Sequence, residues 1–179
     1  MTGSAARILV YGYGNPGRLD DGLGPAVAEE LAALGLPGIT VDSNYQLSVE
    51  DAAAVAAHDV AIFVDADTAG PEPFWFDRLE PRRETSFSTH SVSPQAVLAL
   101  AADLLGSRAE GYLLGIRGYE FNEFGEGLSA GARDNLGAAV GFLRQALVDR
   151  RFAEYAAAYR PGSDVSRCAR DLRHQEGAP

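Results

Sequence analysis

The alternation of short apolar runs with amphipathic stretches is what most limits the fold of this chain. Residues 7–11 (RILVY) and 60–64 (VAIFV) are almost wholly apolar and too short for helices. Each reads as a strand buried on both faces, the habit of a parallel sheet. Residues 22–34 are helical in pattern, with Val27, Leu31 and Leu34 on one face. Residues 39–42 read as a second strand and 48–57 as a second helix, where Ser48 and Asp51 resemble a capping box. A shorter strand is expected at 74–76. Ser93 and Pro94 suit the start of a third helix that runs to Leu105 and stops at Gly106. Residues 112–116 form the last strand, and Ser129 caps a fourth helix reaching to about residue 150. Phe152, Tyr155 and Tyr159 recur at helical spacing, as a packing stripe would. The order predicts a single α/β domain over residues 1–160, a twisted, mainly parallel sheet with helices on both faces. Residues 161–179 are polar and read as a frayed tail.

Composition removes several kinds of function. The 179 residues carry a net charge of −10. Residues 151–179 hold five Arg against four acids, so the first 150 sum to −11. Such a chain disfavours nucleic acid, whose phosphates need a basic stripe. All 15 basic residues are Arg. Without Lys there is no Schiff-base chemistry, no Lys general base and no Walker-type phosphate loop. Cys168 is the single cysteine, which excludes an internal disulfide and a cysteine-held cluster. No apolar run approaches the roughly 20 residues of a membrane span, and residues 1–7 lack a signal-peptide layout. A cytoplasmic protein is expected.

One motif points the wrong way. Gly12-Tyr-Gly14-Asn-Pro-Gly17 follows a strand and matches the dinucleotide-binding G-x-G-x-x-G. Asp42 lies about 25 residues on, where a ribose-binding acid would sit. Yet Pro16 removes a loop N–H, and Asp20 and Asp21 stand where the helix should receive a pyrophosphate. A dinucleotide enzyme is therefore the least favoured reading.

Three other segments carry chemistry when read together. They are the loop from Gly12 to Gly24, containing Asn15, Asp20 and Asp21; the strand end Asp65-Ala66-Asp67; and Ser88-Thr89-His90-Ser91 before the third helix. Ligands of open α/β sheets bind beyond the carboxyl ends of the strands. Asp21, Asp65 and His90 can converge there, and a mixed O/O/N set suits a borderline divalent ion such as nickel or zinc. Each also has a structural reading. Asp21 could complement a helix dipole, Asp20 could be an N-cap, Asp65 could cap a turn and His90 could hold a loop. His58 is placed on a surface turn and His174 in the tail.

The ordered set is more specific than its parts. G-x-G-Asn15, then Asp20-Asp21-Gly-x-Gly24, an apolar strand ending Asp65-Ala66, and His90 before an apolar helix together resemble the nickel–iron hydrogenase maturation endopeptidases. Gly118-Tyr-Glu-Phe121 and Gly125-Glu-Gly-Leu-Ser129 extend the resemblance over residues 7–148. It implies a hydrolase that removes the C-terminal extension of a hydrogenase large-subunit precursor after nickel insertion. Asp21, Asp65 and His90 would be the metal-contacting and catalytic residues. The family has Glu or Asp at the first of these positions, and here it is the shorter acid. Nickel would arrive with the precursor rather than reside in the enzyme. Gly14, Asn15 and Asp20 would shape the cleft, with loop amides as candidate oxyanion donors, and the enzyme would act as a monomer. No H-E-x-x-H occurs. The rival reading is a nickel-sensing assembly factor that cleaves nothing.

Overall fold

The computed structural model describes residues 6–84 and 92–162. Five strands and five helices follow one another as β1 (Ile8–Tyr13), α1 (Leu23–Ala33), β2 (Ile39–Asn44), α2 (Asp51–Ala56), β3 (Val60–Asp67), β4 (Phe74–Leu79), α3 (Pro94–Leu105), β5 (Glu110–Arg117), α4 (Ala130–Asp149) and α5 (Phe152–Tyr159). The strands form one sheet in the order β2-β1-β3-β5-β4. All neighbours are parallel except β4, which runs antiparallel along β5.

The side-chain period of two in the central strands builds two cores. Ile8, Val10, Ile62 and Val64 face α1, α4 and α5. Leu9, Tyr11, Ala61 and Phe63 face α2 and α3. Both faces of β1 and β3 are thus covered, which is why their sequences are unbroken apolar runs. On α1 the buried stripe is Leu23, Val27 and Leu31, whereas Leu34 is 42% exposed. The helix ends at Ala33, so Leu34 falls just outside the face it was expected to share.

Local chemistry sets the helix ends. Asp51 accepts the Ser48 N–H at 2.7 Å, but the helix expected from residue 48 begins at Asp51 with Glu50 as its N-cap, so Ser48 braces the turn before α2 rather than capping it. Ser93 Oγ accepts from Ala96 N at 3.2 Å. Pro94 begins α3, and Gly106 closes it in the left-handed region at φ 64°. The Phe152, Tyr155 and Tyr159 stripe is a separate helix, α5. Its Tyr159 ring lies 4.9 Å from Phe142 and 5.6 Å from Phe74, which fixes α5 over β4. Among the described residues no helix is long and apolar enough to cross a membrane.

This topology has one switch point. The chain leaves β1 towards β2 on one side and returns to β3 on the other. The carboxyl ends of β1 and β3 therefore diverge into a crevice, where open α/β sheets place their ligands.

Candidate active site

The loop after β1 is built by close backbone approach. A Cβ on Gly12 would lie 2.1 Å from the Gly24 carbonyl oxygen. One on Gly24 would lie 2.3 Å from Tyr13 O and 2.5 Å from Val64 O. Glycines there let the first turn of α1 sit directly on β1 and β3. Gly14 adopts φ +139°, and a Cβ there would strike the Asp21 carbonyl at 2.0 Å. A 3₁₀ turn, Leu19–Gly22, stands between loop and helix and carries both Asp20 and Asp21. Asp21 is half-buried, and one of its oxygens accepts the Asn15 N–H at 2.9 Å.

Asp65 ends the buried stretch of β3, across the crevice from this turn. Its Oδ1 accepts the Ala66 N–H at 2.8 Å, and the Tyr13 hydroxyl donates to the same carboxylate. Burial pushes its pKa up to about 7; the two hydrogen bonds oppose this, and the negative charges of Asp21 and Asp67 add to it. Asp21 and Asp65 are thus close enough to feel each other. Tyr13 is itself held above the ordinary tyrosine range, by burial first and then by the Asp65 charge. Sequence reading passed over Tyr13, which occupies a free position between two motif glycines.

Asp67 has a different task. Its carboxylate accepts from Ala69 N and Gly70 N, both at 2.9 Å, and from Trp75 Nε1 at 2.6 Å. Burial alone would raise its pKa, but these bonds and the Arg117 charge hold it below the usual carboxylate value. It therefore folds the turn after β3 and is not a free acid of the crevice. His90, with its neighbours Ser88, Thr89 and Ser91, lies outside the described residues, as do Cys168 and His174. Among the described residues no group of three or more His, Cys, Asp and Glu side chains is arranged to hold a metal ion. His58 is engaged with Ala54 O at 2.7 Å and Thr40 Oγ1 at 2.8 Å, remote in the fold from the loop after β1.

No protein-family model matches the chain, and no curated protein does. Solved structures do. The [NiFe] hydrogenase maturation protease HycI from Thermococcus kodakarensis KOD1 is 25% identical, with a TM-score of 0.64 over 80% of this chain and 93% of that one. This chain has the fold of the hydrogenase maturation proteases. The hydrogenase 2 maturation peptidase from Thaumarchaeota archaeon SCGC_AB-539-E09 is 24% identical with a TM-score of 0.59, covering 79% of this chain and 98% of that one. The maturating endopeptidase HybD from E. coli is 22% identical, also at 0.59, over 81% and 94%. The resemblance first carried by the ordered motifs is one of architecture as well.

Within this maturation-protease fold, Asp20 serves the wall of the crevice. It is fully buried and takes four hydrogen bonds, from Tyr119 N at 2.8 Å, Glu120 N at 3.0 Å, and Ser129 N and Oγ at 2.7 Å each. Burial would raise its pKa, yet these bonds outweigh it and hold Asp20 below the ordinary value. It is not the N-cap of α1; Ser129, which it grips, is the N-cap of α4. Asp20 thus ties the 3₁₀ turn to a segment about 100 residues away.

The same hydrogen bonds argue against a dinucleotide. Gly14 N donates to Asn44 O, Asn15 N to Asp21, Gly17 N to Asn15 Oδ1 and Arg18 N to Asn15 O. Leu19, Asp20 and Asp21 N–H groups go to Gly125, Glu120 and Arg18 carbonyls. With Pro16 lacking an N–H, the loop from Gly14 to Asp21 has no amide left for a pyrophosphate. Asp42 is also not a strand-end acid, because β2 continues to Asn44. For the amides from Gly14 to Asp21, the expectation that loop amides serve as oxyanion donors is corrected on the same ground: they are already spent.

Proposed function

We propose that this chain is an endopeptidase of hydrogenase maturation that removes the C-terminal extension of a nickel–iron hydrogenase large-subunit precursor after nickel insertion. The observation that carries the reading is the likeness to a [NiFe] hydrogenase maturation protease over nearly the whole of that chain. The site chemistry supports it. Two carboxylates meet at the switch point, and the charge of one raises the proton affinity of the other. Such a pair is costly alone and is relieved by a cation.

The cation in this proposal is the nickel that the precursor brings. It is part of the substrate, met by Asp21, Asp65 and His90. Bound there, a divalent ion polarises a carbonyl and makes water more acidic. The chain's own residues do the rest. Asp21 has one oxygen committed to Asn15 N and none of its other contacts fixed among the described residues, so that second oxygen is available to the precursor. Before the precursor arrives, burial first and then the Asp21 charge hold the Asp65 pKa at about 7, and a cation at the site would favour its charged form. One carboxylate of the pair would take the proton of the attacking water and return it to the leaving amine. Tyr13 orients Asp65 by donating to it.

The test is a processing assay on precursor with wild-type chain, Asp21→Asn, Asp65→Asn and His90→Ala, each checked by circular dichroism. Wild type should release a C-terminal peptide, and each folded variant should lose release by more than about 100-fold, as for removal of one catalytic group. An assembly factor would bind the precursor and release no peptide. Full activity in a variant would remove that residue from the site.

A further inference from the structure

We infer that the side-chain amide of Asn15 is the hydrogen-bond donor that receives the developing oxyanion of the scissile carbonyl. The inference rests on the peptidase reading and extends it to a residue outside the Asp21, Asp65 and His90 set. In peptide hydrolysis, water adds to the carbonyl carbon while a carboxylate takes its proton. The C=O π pair moves onto oxygen, and collapse of that tetrahedral centre breaks the C–N bond as the amine leaves with the proton. The negative charge on oxygen needs a preset donor.

Counting donors at the crevice leaves few choices. Every N–H from Gly14 to Asp21 is spent within the loop or on its neighbours. The Tyr13 hydroxyl is given to Asp65. Trp75 Nε1 is given to Asp67, and Ser129 Oγ to Asp20. Arg117 gives Nη1 to Gly70 O and lies over the Tyr119 ring, and its Nε, without a hydrogen-bond partner among the described residues, is buried out of reach of a substrate. On the loop after β1, Asn15 keeps a side-chain donor. Its Oδ1 must be the atom facing Gly17, because Gly17 N–H donates to it at 2.9 Å. That bond fixes the side-chain rotamer and leaves Nδ2, with two N–H donors, without a partner among the described residues. The backbone N–H of Asn15 is meanwhile bonded to the Asp21 carboxylate, which anchors the residue bearing this side chain beside the acid expected to meet the substrate. A donor held by its own oxygen costs little reorganisation when charge appears, which is what makes such groups effective.

The experiment compares Asn15→Ala with Asn15→Ser in single-turnover cleavage of nickel-loaded precursor, alongside precursor affinity and melting temperature. Neither change adds a charge beside Asp21. Ala has no donor and no acceptor, and Ser has a hydroxyl that accepts and donates. Asn15→Ala should lose about 100-fold in the cleavage step, the scale of one oxyanion donor, with precursor affinity close to wild type; melting temperature reports the separate loss of the Gly17 bond. Asn15→Ser should recover about tenfold or more of the cleavage loss. Cleavage by Asn15→Ala at the wild-type rate overturns the inference, as does Asn15→Ser no faster than Asn15→Ala. If the wild-type chain releases no peptide, the peptidase reading falls and the role of Asn15 with it. An active wild type beside an equally active Asn15→Ala overturns the role of Asn15 alone.

Discussion

At Asp65 the fold works against the charged form. Its folded pKa of about 7 lies above the roughly 3.9 of an unfolded aspartate. Between those values the folded state holds a proton that the unfolded state has lost, so stability falls as pH rises through that window. A side-chain amide at this position cannot ionise. Asp65→Asn should match wild type near pH 4 and exceed it by about 1–3 kcal/mol at pH 8, while losing activity. Urea unfolding at both pH values checks this, and a parallel pH dependence in the two proteins would contradict it. The placement of Asp21 and Asp65 at the sheet's carboxyl edge was legible in the sequence, because one lies in the loop after an apolar strand and the other at the end of one. Tyr13 was not, since nothing local shows that its hydroxyl meets an acid 52 residues on. Nor was the division of labour between Asp65 and Asp67, which only the turn bonds from Ala69, Gly70 and Trp75 reveal.

Elements are joined at this site by contacts that run far along the chain. Asp20 binds the segment after β5 and the start of α4 to the 3₁₀ turn that bears Asp21. Asp20→Ala would leave three backbone N–H groups and a hydroxyl without their acceptor. A loss of about 3–5 kcal/mol is expected, measurable as a fall in the urea midpoint. A change below about 0.5 kcal/mol would show that the clamp is dispensable. Gly24→Ala should be comparably damaging, because its Cβ would enter the backbone oxygens of Tyr13 and Val64. Helices and central strands were readable from period and caps: Ser93, Gly106 and Ser129 act as their residue types suggest. The direction of β4 was not, because strand patterning fixes which faces are buried and says nothing of parallel or antiparallel pairing.

For the whole molecule, the domain is closed by α5, and the polar stretch beyond it carries no apolar stripe. A chain ending at Arg160 should therefore process precursor within about tenfold of the full-length rate, or roughly 1.4 kcal/mol of transition-state stabilisation. A larger loss would show that the Arg-rich tail engages the substrate. The central claim is that a pair of carboxylates at the switch point, with His90, acts on a precursor that brings its own nickel. The most direct test is the intact mass of a large-subunit precursor after incubation with the purified chain, in parallel for nickel-loaded and nickel-free forms. The account predicts that the loaded precursor is shortened at its C-terminus with a matching free peptide, and that the nickel-free form keeps its mass. A loaded precursor of unchanged mass, or equal shortening of both forms, would contradict it.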